Sequence, residues 1–330
     1  MEDTLKRDNH FVPKFYLNEW KNKNGKVFEY NKIAPSEKSR IWNEKSTTAV
    51  CYIRNFYVQK INGVETDYLE RIFDKNYEDL AEMALKKAIN GERLTPNDWE
   101  KIINLIASQI FRTPSYYIKI MQILEKTFEE TMSSIPNHID KHYNKNKLKI
   151  DNNDEPILDI DFNIKIEDMN IAKENKKYFR VSLDINKDLY LSCLSAMLEN
   201  YVQILQKHKW NVVKLYDNLI IQTSDNPVIL LNYYKDNTYD LKGGIDNNGG
   251  EIIFPISPNK IIYTQIGKRT MLNKFDFKTS FKIKKLILEN ARNTIISSFK
   301  DSKIEKMLPR VVDLEKYKLN QQFIELLKKE

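Results

Sequence analysis

Residues 251–266 read EIIFPISPNKIIYTQI. Two runs of β-branched and aromatic residues, EIIFPI and KIIYTQI, flank Ser257-Pro258-Asn259, and runs of this length and bounding are strands. Upstream, NVVKLY from 211, NLIIQTS from 218 and PVILLNYY from 227 have the same character, so the C-terminal half is predicted to build a sheet. Between PVILLNYY and EIIFPI lies YKDNTYDLKGGIDNNGG. Two Gly-Gly pairs, with only Leu241 and Ile245 as aliphatic anchors, predict a long mobile loop over 235–250 that exchanges its amides fast and is placed to cover a site.

Outward from this sheet the pattern is helical. Residues 186–208 carry Tyr190, Cys193, Leu194, Met197, Tyr201, Ile204 and Leu205 on one face, and a last helix over 280–299 carries Ile283, Leu286, Ile287, Ala291 and Ile295, with Asn290 on the same stripe. A central helical block precedes them. In 67–90 the stripe is Leu69, Ile72, Phe73, Tyr77, Leu80 and Ala84, with Asp67 and Glu70 at capping-box spacing and Gly91 as the stop. Thr95-Pro96-Asn97-Asp98 starts the next helix, whose stripe is Trp99, Ile102, Ile103, Ile106 and Ile110. At 100° per residue Gln109 and Arg112 fall together on the shoulder of that stripe, which predicts half-burial. Thr113-Pro114 ends or kinks the helix, and 116–144 forms a third. Near the N-terminus HFVPKFYLNEW reads as a short buried helix, and KVFEYN and NFYVQK read as strands. The fold class is α+β, a mostly antiparallel sheet covered by helices with a central helical block. One domain spans 1–330. The polar stretch 145–185 marks a sub-structure of 1–150, short strands plus the helical block, and 151–330, helix, strands and C-terminal helix.

The 330 residues include 53 Lys and Arg against 46 Asp and Glu, a net charge of +7. Only KHYNKNKLK at 141–149 and KHK at 207–209 are locally basic, so the charge fits a general bias or a surface for nucleic acid. No run of 18 uncharged apolar residues and no apolar leader block is present, which predicts a cytoplasmic chain without membrane contact. Cys51 and Cys193 are too few for a disulfide framework, a zinc finger or an iron-sulfur site. Walker, GxGxxG, GxSxG and HExxH patterns are absent. His138 and His142 have i, i+4 spacing, but Pro136 is adjacent and no glutamate accompanies them, so no metal site is assigned. Tyr52, Tyr57, Tyr233 and Tyr234 fit either core packing or stacking on bases.

HFVPKFYLNEW, the NFY strand, Gln109…Arg112-Thr113-Pro114, Thr223-Ser224-Asp225-Asn226-Pro227 and Phe254-Pro255-Ile256-Ser257-Pro258 stand in one order along the chain. In these motifs the sequence resembles the domain of unknown function 4238 family over nearly its whole length. The resemblance implies a uniform domain without an established activity. Lys14 departs from the family pattern, where Gln is expected.

If the polar residues in these motifs converge, His10 supplies a general acid or base, Arg112 a fixed cation, and Asp225 a carboxylate that orients the histidine or binds a metal. Gln109, Ser224, Asn226 and Lys14 would contact the substrate. Such a set fits hydrolysis of RNA or another phosphodiester in a stress or defence role, a nuclease-like activity. It equally fits a non-catalytic module that binds an anionic small molecule or a protein partner. Neither a cofactor nor an oligomeric state follows from the residues. Because Asn forms the same Asx-turn as Asp, Asp225→Asn is expected to leave the melting temperature within a few degrees while abolishing activity.

Overall fold

The computed structural model describes residues 5–61, 63–142, 164–168, 179–183, 186–235, 238–268 and 271–329. Two compact units emerge. The larger joins 1–115 with 197–330, and the smaller is 116–196, so both ends of the chain share one unit and position 150 falls inside the other. In the smaller unit a hairpin pairs Ile164–Asp168 with Phe179–Leu183 antiparallel, and Tyr117 meets Tyr190 edge to face at 4.9 Å. The backbone of the helix Pro114–His142 carries His138 and His142, whose side chains lie outside the described residues, as does the basic run 143–149.

The larger unit confirms the α+β class. A five-stranded antiparallel sheet has the order Asn211–Lys214, Lys260–Gln265, Glu251–Ser257, Ile229–Lys235, Thr238–Asp240. The quoted runs pair directly, Phe254 opposite Ile262 and Ile252 opposite Thr264. On one face Val213, Ile229, Leu231, Ile253 and Ile261 pack against Ile283, Leu286 and Ile287 of the helix Phe277–Asn290. On the other, Phe254 stacks on Tyr16 at 5.1 Å. Burial on both faces explains why EIIFPI is continuously apolar rather than alternating. Pro255 sits where the register shifts, beyond Ile253, the last residue paired with Ile229–Lys235, so its missing N–H removes no ladder bond.

A second antiparallel sheet mixes the two ends of the chain in the order Thr223–Ser224, Thr294–Ser297, Val27–Asn31, Trp42–Lys45. Its period of two separates its faces. Tyr30, Trp42 and Ile295 face a core completed by Leu288, Ala291 and Ile304, while Glu29, Asn31, Lys45 and Thr294 line the opposite side.

Several expectations change. The helix predicted over 280–299 ends at Asn290, and Thr294–Ser297 is a strand, because Thr294-Ile295-Ile296 find partners in Val27–Asn31. The helices Ser302–Met307 and Leu314–Lys328 were not predicted. Only Thr223–Ser224 of NLIIQTS forms a strand, and NFYVQK opens with a turn over 55–57, with Asn55 at a φ of 59°, so that only its Gln59-Lys60 end joins a strand, Gln59–Ile61. Residues 67–90 form two α-helical segments, Tyr68–Ile72 and Asp79–Asn90, joined by a π-helical Phe73–Glu78. Asp67 caps no backbone N–H of that helix. Its carboxylate accepts from Lys6 N and Arg71 Nε. The helix start predicted at Thr95 forms, and there Thr95 and Asp98 make the reciprocal capping box that Asp67 and Glu70 do not.

Within the segment 235–250 the described residues 238–250 are anchored rather than loose, and 236–237 lie outside the described residues. Thr238–Asp240 pairs with Ile229–Lys235, Ile245 is buried, Gly243 N donates to Leu230 O at 3.0 Å, and Gly249 N and Ile266 N close a further pair of bonds. A Cβ at Gly243 would meet the Leu230 carbonyl at 2.9 Å, so the glycine serves close backbone approach.

Candidate functional site: a polar cleft between the second sheet and the C-terminal helix

The sequence-predicted residues come together in part, mostly to brace one another. Arg112 ends the helix Pro96–Phe111 and is fully buried, deeper than its helix phase implied. Its Nη1 donates to Glu78 Oε1 at 2.5 Å, its Nη2 to the His10 carbonyl, and its Cζ lies 4.5 Å from the Phe73 ring centre. The π-helical turn makes this geometry, since i to i+5 spacing brings Phe73 and Glu78 onto one guanidinium. Tyr57 Oη donates to Arg112 O at 2.5 Å. Burial works against the charge on Arg112, but Glu78, Tyr57 and Glu70 hold its pKa above the ordinary value. Burial also raises Glu78, against the pull of Arg112, and pushes Glu70 to about 7. Arg112 and Gln109 are both closed to solvent, so the expectation that they line an open concave site is replaced by a buried scaffold. Gln109 is itself buried, with neither amide atom hydrogen-bonded.

His10 lies on the ribbon Asp8–His10 paired with Tyr52–Arg54, its ring stacked on Tyr52 at 5.6 Å. Burial, with the charges of Lys14 and Arg112, lowers its pKa to about 4, and Nε2 is buried without a partner. The imidazole is therefore neutral at pH 7 and closed to solvent. Lys14 is exposed.

The Thr223–Pro227 motif is a knot. Tyr16 Oη and Thr223 Oγ1 lie 2.6 Å apart, Ser224 Oγ donates to Asn226 O at 3.0 Å, and Asn226 and Asn290 exchange amide-to-carbonyl bonds of 3.1 and 2.7 Å. The buried Asp225 carboxylate accepts three backbone N–H groups: Arg292 at 2.9 Å on Oδ1, and Asn293 at 2.8 Å and Thr294 at 3.0 Å on Oδ2. Burial raises its pKa, and those N–H groups and Arg292 oppose the rise. Asp225 thus shapes the turn joining the helix Phe277–Asn290 to the strand Thr294–Ser297. An Asn there would aim its amide N–H at backbone donors, which overturns the expectation of a near-neutral Asp225→Asn.

Asp225 also borders a cleft of about 310 Å³ that the motif reading did not anticipate. Its floor is the polar face of the second sheet. Lys45 Nζ lies 2.7 Å from Glu29 Oε2, Asn31 Nδ2 donates to Glu29 Oε2 at 3.2 Å, and Thr294 Oγ1 donates to Asn31 Oδ1 at 3.2 Å. One wall is the helix Leu314–Lys328, which presents Tyr317, Asn320, Gln321 and Ile324 at i, i+3, i+4 and i+7. The opposite rim includes Cys51, a non-glycine residue at a φ of 54°. Left-handed backbone of this kind stores about 1–3 kcal/mol and clusters at functional sites. Burial, with Asp225 and Glu29 nearby, raises the Cys51 thiol well above its ordinary pKa, so it is protonated and a poor nucleophile.

Arg292 stands at the junction. Its Nη1 donates to Asn320 Oδ1 at 2.7 Å, and its Cζ lies 4.5 Å from the Phe323 ring centre. Burial lowers its pKa, opposed by Asp225. Asn293 Oδ1, from another cleft residue, is buried without a hydrogen-bond partner. Sequence reasoning passed over Arg292 and Asn293 by placing them inside a helix. The signal was the switch from the helical stripe at Ile287 to β-branched Thr294-Ile295-Ile296. Among the described residues no group of three His, Cys, Asp or Glu is arranged to hold a metal ion, and no helix is long and apolar enough to cross a membrane.

A family model described as "Protein of unknown function (DUF4238)" matches residues 8–301. The helix Leu314–Lys328 lies beyond the matched residues. No curated protein and no solved structure matches the chain.

Proposed function

The chain belongs to the DUF4238 family, and from the chemistry of its cleft we propose that it binds a small molecule carrying an anionic group and hydrogen-bond donors. The observation that carries this reading is Arg292, a partly buried guanidinium on the cleft wall with one side-chain hydrogen bond among the described residues. Its remaining donors form the planar fork that suits a carboxylate or phosphate. Lys45 supplies a second cation, and Asn293 Oδ1 accepts from a ligand hydroxyl or amine. A volume of about 310 Å³ suits a small molecule rather than a polymer.

Binding is favoured over hydrolysis at this site. The groups read as catalytic are engaged elsewhere, with His10 neutral and closed off and Arg112 fully buried, its two terminal nitrogens held by Glu78 and the His10 carbonyl. Binding of pyrophosphate, citrate and adenosine monophosphate is to be measured by thermal shift on wild type, Arg292→Gln and Lys45→Gln. The expected result is stabilisation of wild type by at least one of the three, lost in Arg292→Gln and weakened in Lys45→Gln. Equal stabilisation of wild type and Arg292→Gln, or no shift with any of the three, would overturn the proposal.

A further inference from the structure

A second constellation lies at the C-terminal end of the helix Lys187–Gln206, where the basic triplet Lys207-His208-Lys209 meets Trp210. Two cavities, of about 610 and 480 Å³, share His208 and Lys209 as lining. The larger is faced by Trp99 and Trp210, the smaller by Lys207, Lys209 and Lys268. The two indoles therefore line one cavity, Lys207 and Lys268 the other, and Lys209 borders both.

That segment is held in place. Trp210 Nε1 donates to Leu205 O at 2.9 Å, which orients the indole, and His208 Nε2 meets Ile245 O at 2.6 Å, which ties the segment to the chain after Thr238–Asp240. Lys207, Lys209 and Lys268 are exposed, and none enters an ion pair with a described residue. Asp246 is the acidic residue of the smaller cavity and Glu100 that of the larger, so three lysines face one carboxylate where the cations gather.

We propose that this paired groove binds single-stranded nucleic acid, with a base stacked at Trp99 and Trp210 and the adjoining phosphates at Lys207, Lys209 and Lys268. Flat aromatic faces beside a basic track are how sequence-tolerant single-strand sites are built, because every base has a π-face and every linkage a charge. An acidic peptide would satisfy the lysines and leave the indoles without a flat partner. A duplex would offer the phosphates and keep its bases stacked. The site is separate from the cleft at Arg292 and does not rest on the reading of that cleft.

The test is fluorescence polarisation with labelled oligouridylate and oligothymidylate, a duplex of equal length and free uridine monophosphate as competitor, on the full chain. Wild type should bind both single strands more tightly than the duplex. Lys207→Glu with Lys209→Glu should weaken single-strand binding by about tenfold or more and flatten its salt dependence. The matched control, Lys21→Glu with Lys23→Glu, alters net charge equally at exposed positions and should change binding by less than about twofold. Trp99→Leu, which keeps an apolar residue on its helix, should reduce affinity and the quenching of tryptophan emission while the salt slope stays. Competition by uridine monophosphate would identify a single phosphorylated base as sufficient, and its absence would identify the strand as the ligand. No binding by wild type, duplex binding as tight as single-strand binding, or equal losses in the two lysine pairs would overturn the proposal.

Discussion

Arg112 and Arg292 carry the same guanidinium in opposite circumstances. Arg112 is fully buried and spends its charge on Glu78, the His10 carbonyl and the faces of Phe73 and Tyr57. Arg292 borders a cleft and gives one side-chain hydrogen bond among the described residues, to Asn320. Helix phase placed Arg112 beside Gln109 on a half-buried shoulder, yet its full burial makes it a strut. What separates a structural arginine from a binding one is whether the donors left over after folding are sealed in the core, as Nε of Arg112 is, or border a cleft, as at Arg292, and no sequence motif records that.

The comparison can be broken from the structural side first. Glu78→Gln leaves the Arg112 charge buried against a neutral partner, so a loss of about 3–5 kcal/mol in urea unfolding is expected. A loss below about 1 kcal/mol would mean that the cluster does not hold the fold. Asp225→Asn comes next. One amide N–H must face a backbone N–H of Arg292, Asn293 or Thr294, for a loss of about 1–3 kcal/mol. An unchanged urea midpoint would show that the turn does not depend on the carboxylate.

The pH dependence sharpens the same contrast. The folded state lowers His10 from 6.5 to about 4, so its contribution is present above pH 6.5 and lost as pH falls toward 4. Glu70 is raised from 4.5 to about 7, so its contribution is present below pH 4.5 and lost as pH rises toward 7. Melting temperature followed across pH should therefore fall less steeply between about 6.5 and 4 in His10→Gln, the limb below that belonging to carboxylates such as Asp98, and flatten between about 4.5 and 7 in Glu70→Gln. An unaltered profile in both variants would remove buried titration from the account.

Much of the fold was legible. The runs at 211–214, 229–235, 251–257 and 260–265 pair as strands, and Thr95 with Asp98 caps its helix, because local propensity and tertiary burial agree there. At Arg292–Thr294 they disagree. The stripe through Ile287 runs on to Ile295 at helical spacing, and only the distant strand Val27–Asn31 draws Thr294–Ser297 out of the helix. The π-helical turn Phe73–Glu78 was not legible locally because the residue its Phe73 and Glu78 converge on, Arg112, lies 34 residues beyond Glu78. For the site, Asp225 was found as a carboxylate at a strand end. Its partners were not, since Glu29, Lys45 and Arg292 are isolated charges in sequence that become neighbours through strand order alone. The family motifs proved informative about mutual bracing, as in Tyr16 with Thr223 and Phe254, and Arg112 with His10.

The most direct test makes one conservative change at both arginines. Arg112→Lys and Arg292→Lys are compared by urea unfolding under identical conditions. An ammonium cannot reproduce the fork that joins Glu78 to the His10 carbonyl, so Arg112→Lys should lose about 3 kcal/mol or more. Arg292→Lys gives up one hydrogen bond and one ring contact and should lose about 1 kcal/mol or less. Equal losses, or the larger loss at Arg292, would contradict the assignment of one arginine to the scaffold and the other to the cleft.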